Sequence, residues 1–224
     1  MTAFPDHQRA FAEGRYLRVV NYHNTPVSQT ETLRRELGWY ASQYDSVTLE
    51  DLDAFHATGR WPKARQGFLP VFYDGYHNNA TVAEPICTEL GLVAWFFPPT
   101  AFIATPVAEQ RAFARAHSIT IVPEERGEDR LAMTFDDLAA ISERHVIAAH
   151  TAAHEQCSKV RTADDVHREV LEPAALILAA TGKPPAAFAW LRGTPYEPAL
   201  PGNAALHDAG IRYLFSNTKV ERLP

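Results

Sequence analysis

The segment Phe68 to Tyr73 reads FLPVFY, six residues with almost no polar side-chain atoms, cut off by Asp74-Gly75. A run this short and this apolar suits a strand covered on both faces, because a strand with one wet face alternates polar with apolar. Covered strands belong to parallel sheets flanked by helices, and the rest of the chain repeats the theme. Leu17 to Tyr22 is a similar run ended by His23-Asn24-Thr25-Pro26, and Leu92 to Phe97 is another stopped by Pro98-Pro99. His145 to Ala149 and Ala187 to Leu191 complete the set. Between the runs lie helical stretches: Glu31 to Tyr44; Leu49 to Thr58, with Thr48 as N-cap and Glu50 and Asp51 in its first turn; Thr81 to Leu90, stopped by Gly91; Phe135 to Arg144; Thr162 to Ala180, ended by Thr181-Gly182; and Asn203 to Ala209, ended by Gly210. The polar stretch Val107 to Arg130 reads as an insertion with one helix around Ala108 to His117. Strand alternating with helix predicts an α/β fold with a parallel sheet, and connections of this length suit a barrel or a doubly wound sheet about equally.

The chain has 224 residues, which suits one domain spanning 1–224. A net charge of -6 without any basic run argues against a nucleic-acid partner. No apolar run is long enough to span a bilayer, and Met1 to Tyr16 lacks the charged-then-apolar pattern of a secretory leader. Cys87 and Cys157 are the only cysteines and cannot form a disulfide scaffold, which favours a reducing compartment. The expectation is a cytoplasmic protein with a small-molecule substrate; nothing fixes its oligomeric state.

Parallel α/β folds gather functional groups at the carboxyl ends of their strands. Here the residues just past the apolar runs are His23, Asp74 with His77, His150 with His154, and Arg192. A carboxylate and imidazoles at one rim are what a divalent metal site needs, and an open catalytic site uses about three protein ligands. His150-Thr-Ala-Ala-His154 is the most specific local pattern, since two imidazoles at this spacing reach one ion from a helical turn or a tight loop. Chance proximity among ten histidines explains that pair about as well.

Four ordered segments tip the balance: Leu17 to His23, LPVFYDGYHNNATVAEPICTELGLVAWFF, VIAAHTAAH and TGKPPAAFAWLRGTPY. Together they resemble the polysaccharide deacetylase family, also called NodB-like or carbohydrate esterase family four. The resemblance implies a deformed (β/α) barrel and a divalent metal, usually zinc, held by Asp74, His150 and His154. It further implies that the ion polarises an amide carbonyl and acidifies bound water, that Thr151 orients its loop, and that a backbone N–H after the Asp74-Gly75 turn steadies the oxyanion. The string TFDD at Thr134 to Asp137 copies the family's first motif only superficially, because Leu138 follows where glycine belongs. It reads as a helix start, with Thr134 as N-cap.

Three departures weaken the match. Tyr73 stands where the family places its basic aspartate, and a phenol with a reference pKa near 10 is a poor proton acceptor, so packing or hydrogen bonding is the stronger reading. Arg192, which in some relatives holds that aspartate, is left for a substrate carboxylate or phosphate, or for a surface salt bridge. No residue before Pro224 aligns with the histidine of the family's last motif. His77 and His23 are the substitutes for proton transfer, against plain readings as an exposed loop histidine and a buried one. Glu155 reads as supporting or solvated, Tyr76, Trp95 and Trp190 as pocket lining or core, and His207 as surface. The expected activity is metal-dependent hydrolysis of an amide bond in an intracellular small molecule. The alternatives are a metal-binding protein without turnover, or a different metal-assisted reaction on the same scaffold.

Overall fold

The computed structural model describes Arg9, residues 16–217 and residues 219–224. Most of Met1 to Tyr16, read above as lacking a leader, lies outside the described residues. One sheet contains β1 (Leu17–Tyr22), β2 (Asp45–Ser46), β3 (Gly67–Tyr73), β4 (Trp95–Phe97) and β5 (Val146–Ile147), in the order β1-β3-β4-β5 with β2 also paired to β3. The other contains β6 (Ala149–His150), β7 (Ala187–Ala189), β8 (Tyr213–Ser216) and β9 (Lys219–Arg222) in sequence order. The pairings between these strands are parallel except the β8–β9 hairpin. A single stretch of chain joins the sheets: Val146 and Ile147 pair with β4, Ala148 donates to the Phe96 carbonyl at 2.8 Å, and Ala149 and His150 pair with β7.

Alternation along the strands sorts the core into an inner and an outer layer. Leu69, Val71, Tyr73, Trp95, Phe97, Ala148, Ala187, Ala189, Tyr213 and Phe215 form one buried cluster, the barrel interior. Their neighbours Phe68, Phe72, Phe96, Ile147, Ala149, Phe188 and Leu214 belong to a second cluster, packed beneath the helices. Every residue of β3 is buried, as its composition demands. Pro70 falls between the residues paired to β2 and those paired to β4, where the strand accommodates a residue with no N–H.

Several boundaries differ from expectation. Leu92 to Phe97 contributes only Trp95–Phe97 to the sheet, and Ala187 to Leu191 only Ala187–Ala189, because Leu92, Ala94 and Trp190 are buried in the connecting segments instead. His145 to Ala149 divides into β5 and β6 and extends to His150. Both helices expected over Thr81 to Leu90 and Thr162 to Ala180 contain a π-helical turn, at Asn79–Ala83 and His167–Leu171, before continuing as Glu84–Glu89 and Glu172–Thr181. Each wide turn directly precedes a Glu-Pro pair, where a regular turn would press the proline ring on a carbonyl one turn back. The TFDD segment is the helix start expected of it: Asp137 N–H donates to Thr134 Oγ1 at 3.0 Å and Thr134 N–H to Asp137 Oδ2 at 2.7 Å. Unforeseen were β2, β8, β9 and the short helix Thr100–Ala104. The insertion carries helix Val107–Ala116 and its own buried cluster of Tyr76, Phe102, Ala114, Ile119, Leu131 and Ala132.

Candidate active site

Among the described residues, five other than glycine have a positive φ: Asp74, Ser118, His154, Arg192 and Asn217. Four of them line one small cleft, and Ser118 follows the residue that anchors His154. Side-chain-bearing residues resist this conformation, and where it persists the surrounding structure enforces it, commonly at functional sites. The cleft lies beyond the carboxyl ends of β1, β3, β6, β7 and β8, with His23, Tyr73, Trp190 and Asn21 also on its walls.

Asp74 is reached by a sharp reversal at the end of β3. Gly75 follows at φ +65, and a Cβ there would come within 3.1 Å of Pro98, so a side chain at this position would be strained and crowded against the β4 turn. Asp74 is 3% exposed; its Oδ2 accepts from the Tyr76 hydroxyl at 3.3 Å. Its Oδ1 lies 3.1 Å from His154 Nε2, but the approach lacks hydrogen-bond alignment and Oδ1 is left without a donor. Burial opposes the Asp74 charge, yet His154, His23 and His150 outweigh it and hold the carboxyl below its usual range.

Both imidazoles turn the same nitrogen away from Asp74. His154 Nδ1 lies 2.7 Å from the carbonyl of His117 and must donate to it, leaving Nε2 for Asp74. His150 Nδ1 lies 3.0 Å from Thr151 Oγ1, which donates to the Glu155 carbonyl at 3.1 Å and accepts from the Glu155 N–H at 2.7 Å. With the hydroxyl proton given to Glu155, Nδ1 of His150 is the donor and Nε2 keeps its lone pair. Burial, reinforced by His154, pushes His150 down to about 3, so its ring is neutral near physiological pH. For His154 burial acts downward, but Asp74 outweighs it and the net shift is upward. A lone pair 3.1 Å from a carboxylate oxygen is stable only with a positive charge between them, either a proton or a metal ion. The donor set therefore fits a divalent cation in its chemistry. As placed, no three His, Cys, Asp or Glu side chains among the described residues have the spacing of a ready-made metal cluster; Asp74 touches His154, and the His150 ring centroid is 5.0 Å from that of His154.

Tyr73 packs. It is buried against Phe97 and His23, with ring centroids 5.2 Å and 5.5 Å away, and edge-on to His150. Burial and the adjacent Asp74 push its phenol well above its ordinary pKa, the opposite of what a base requires. His23 is exposed at the rim rather than buried. Its loop is pinned, since Asn79 Nδ2 donates to the His23 carbonyl at 2.7 Å, and Asn24 and Asn78 both donate to the buried carboxylate of Glu125. His77 does not reach the cleft; it opens the helix beyond Tyr76, and its buried Nδ1 has no partner. Arg192 lies exposed on the cleft wall and makes no ion pair among the described residues. Glu155 pairs with Lys159 at 2.7 Å. Tyr76 is a donor to Asp74 rather than pocket lining, and Trp95 and Trp190 are buried. Sequence reasoning missed the His117 carbonyl, because a backbone acceptor 37 residues from its imidazole leaves no mark on composition.

Solved structures resembling this architecture share a theme. A de-N-acetylase from Aggregatibacter actinomycetemcomitans superposes with a TM-score of 0.66 at 16% identity over 92% of this chain and 90% of its own. IcaB from Ammonifex degensii gives 0.66 at 17% over 92% and 86%, and the BpsB deacetylase domain from Bordetella bronchiseptica gives 0.63 at 16% over 88% and 87%. The chain has the polysaccharide deacetylase fold. No family model matches the sequence, and no curated protein matches it. On this deacetylase fold the expected α/β barrel is borne out, deformed by the break at Ala148 and by the absence of β1–β9 pairing among the described residues.

Proposed function

We propose that the protein is a metal-dependent hydrolase of C–N amide bonds. In this reading it is a cytoplasmic deacetylase of a small N-acylated molecule, such as an amino sugar or a specialised metabolite. Asp74, His150 and His154 would hold the divalent cation, with zinc the first choice for two imidazoles and one carboxylate. The observation that carries this reading is the anchoring of Nδ1 at both histidines, which leaves Nε2 of His154 3.1 Å from Asp74 Oδ1, a buried carboxylate oxygen with no hydrogen-bond donor. Anchoring the far nitrogen of a ligand imidazole is the usual support of a metal site.

The bound cation would supply Lewis-acid polarisation of the amide carbonyl and acidification of water. The chain itself does the rest. The cleft holds about 50 Å³, and a water needs about 10–15 Å³, so it admits roughly three to five waters or one short acyl group. Tyr73 and Trp190 wall that space with apolar surface. His23, at the rim beside Tyr73, carries the proton that the family's aspartate would carry. Tyr76 steadies Asp74 from behind.

A binding protein without turnover is favoured by one observation, the buried and weakly acidic phenol at position 73. Two measurements separate the readings. Zinc titration is expected to saturate at one ion per chain and to fail in His150→Ala. Acetate release from a panel of N-acetyl compounds is then expected from the zinc-loaded wild type; saturable zinc binding with no turnover on any amide would favour the second reading, and absence of zinc binding would refute both.

A further inference from the structure

We infer that Arg192 is a recognition residue for an anionic group on the substrate, a carboxylate or a phosphate, placed beside the acyl group to be removed. This deepens the proposed deacetylase reading by naming the substrate class. The turn that carries Arg192 is closed by Gly193 N–H donating to the Trp190 carbonyl at 2.8 Å. Arg192 occupies its third position at φ +68, where glycine or asparagine is the ordinary choice. Both ends of the turn are locked. Trp190, 2% exposed, donates through Nε1 to Asn203 Oδ1 at 2.7 Å, and Gly202 lies so close that a Cβ there would meet the indole at 2.6 Å. Gly193 packs on Asn217, where a Cβ would fall 2.6 Å from Nδ2 and 2.9 Å from the backbone nitrogen.

A strained arginine in a clamped turn is held there by the whole structure, yet its exposed side chain has no partner ion among the described residues. The carboxylate on the cleft wall, Asp74, faces His154 through Oδ1 and accepts from Tyr76 through Oδ2. The rim therefore carries a guanidinium with its donors unused, next to a hollow sized for a short acyl group. Its planar fork suits carboxylate or phosphate oxygens in a two-point contact. Asn21 Oδ1, buried on the same wall without a donor, offers a place for an N–H or O–H of the same ligand. Tyr73, on the same cleft, offers the arginine no charge to pair with.

The test is binding to metal-free protein, so that an anion cannot score by ligating an ion. Two matched probe pairs are titrated by NMR: N-acetylglycine against N-acetylglycinamide, and N-acetylethanolamine phosphate against N-acetylethanolamine. The charged member of at least one pair is expected to bind about tenfold more tightly. Arg192→Gln is expected to erase that preference without affecting the neutral probes, and Arg192→Lys to restore part of it. The pair showing the preference identifies carboxylate or phosphate. Equal binding of charged and neutral probes by the wild type, or a preference that survives Arg192→Gln, overturns the inference. Since no turnover is read, a protein that hydrolyses no amide would refute the proposed function while leaving this result standing.

Discussion

Thr151 is the most informative single position. It is fully buried, and its one hydroxyl serves three partners: His150 Nδ1 at 3.0 Å, the Glu155 carbonyl at 3.1 Å and the Glu155 N–H at 2.7 Å. Replacing it by valine keeps the shape and removes all three bonds. A lost hydrogen bond costs about 0.5–1.5 kcal/mol net, and a stranded buried donor about 1–3 kcal/mol. His150 is 2% exposed and would be stranded, whereas Glu155 is only half-buried and regains some water, so Thr151→Val is expected to cost about 2–4 kcal/mol. Thr151→Ser keeps the hydroxyl and should cost under about 1 kcal/mol. Urea unfolding of the metal-free protein, followed by tryptophan fluorescence, measures both. The same pair separates stability from ligation: freed of its anchor, His150 presents either nitrogen, and zinc affinity should fall about 10–100-fold in the valine variant. If valine and serine variants unfold within about 1 kcal/mol of each other and bind zinc alike, Thr151 does not set the tautomer.

Other outcomes follow from neighbouring features. Tyr73→Asp returns a carboxylate beside Asp74 within reach of the rim that carries Arg192; amide turnover should rise about 10²-fold, and a drop in an existing activity would show that the tyrosine takes part in it. Glu125 receives donors from Asn24, Asn78 and the Val122 N–H on its two oxygens, so Glu125→Gln must turn an NH₂ toward a donor. It should cost about 1–3 kcal/mol by urea unfolding, and a neutral result would show that the network is solvated. His145 is held below its ordinary 6.5 by burial, despite the pull of Glu84 in the other direction. The unfolded chain thus takes up this proton first, and stability should decline as pH falls from 6.5 through the depressed value. Urea midpoints between about pH 5 and 8 should show a flatter acid limb in His145→Gln, and an unchanged limb would assign it elsewhere.

The parts of this protein legible in its sequence are those written in consecutive residues. FLPVFY announced a covered strand, Thr134 with Asp137 announced a helix start, and His154 fell next to Asp74 because each lies just beyond a strand of the same barrel. The edge strand Lys219–Arg222 was invisible because its residues are mostly charged and none of them is buried. The π turns were invisible because proline in a helix can end it, kink it or widen it, and only packing selects among these. His77 misled for a related reason: proximity in sequence to Asp74 says nothing once a left-handed Asp-Gly step has swung the chain away. Arg192 was legible as a rim residue, but its strained backbone and its lack of a partner were not.

The stretch from 107 to 130 looks like an ornament a protein engineer would trim. Its helix ends at His117, and that residue's carbonyl decides which nitrogen of His154 faces Asp74. A shortened chain that still folds would keep every proposed ligand and lose control over one of them. Loop grafts and minimised versions of this scaffold must therefore carry that carbonyl with them, however unremarkable the surrounding residues look in an alignment.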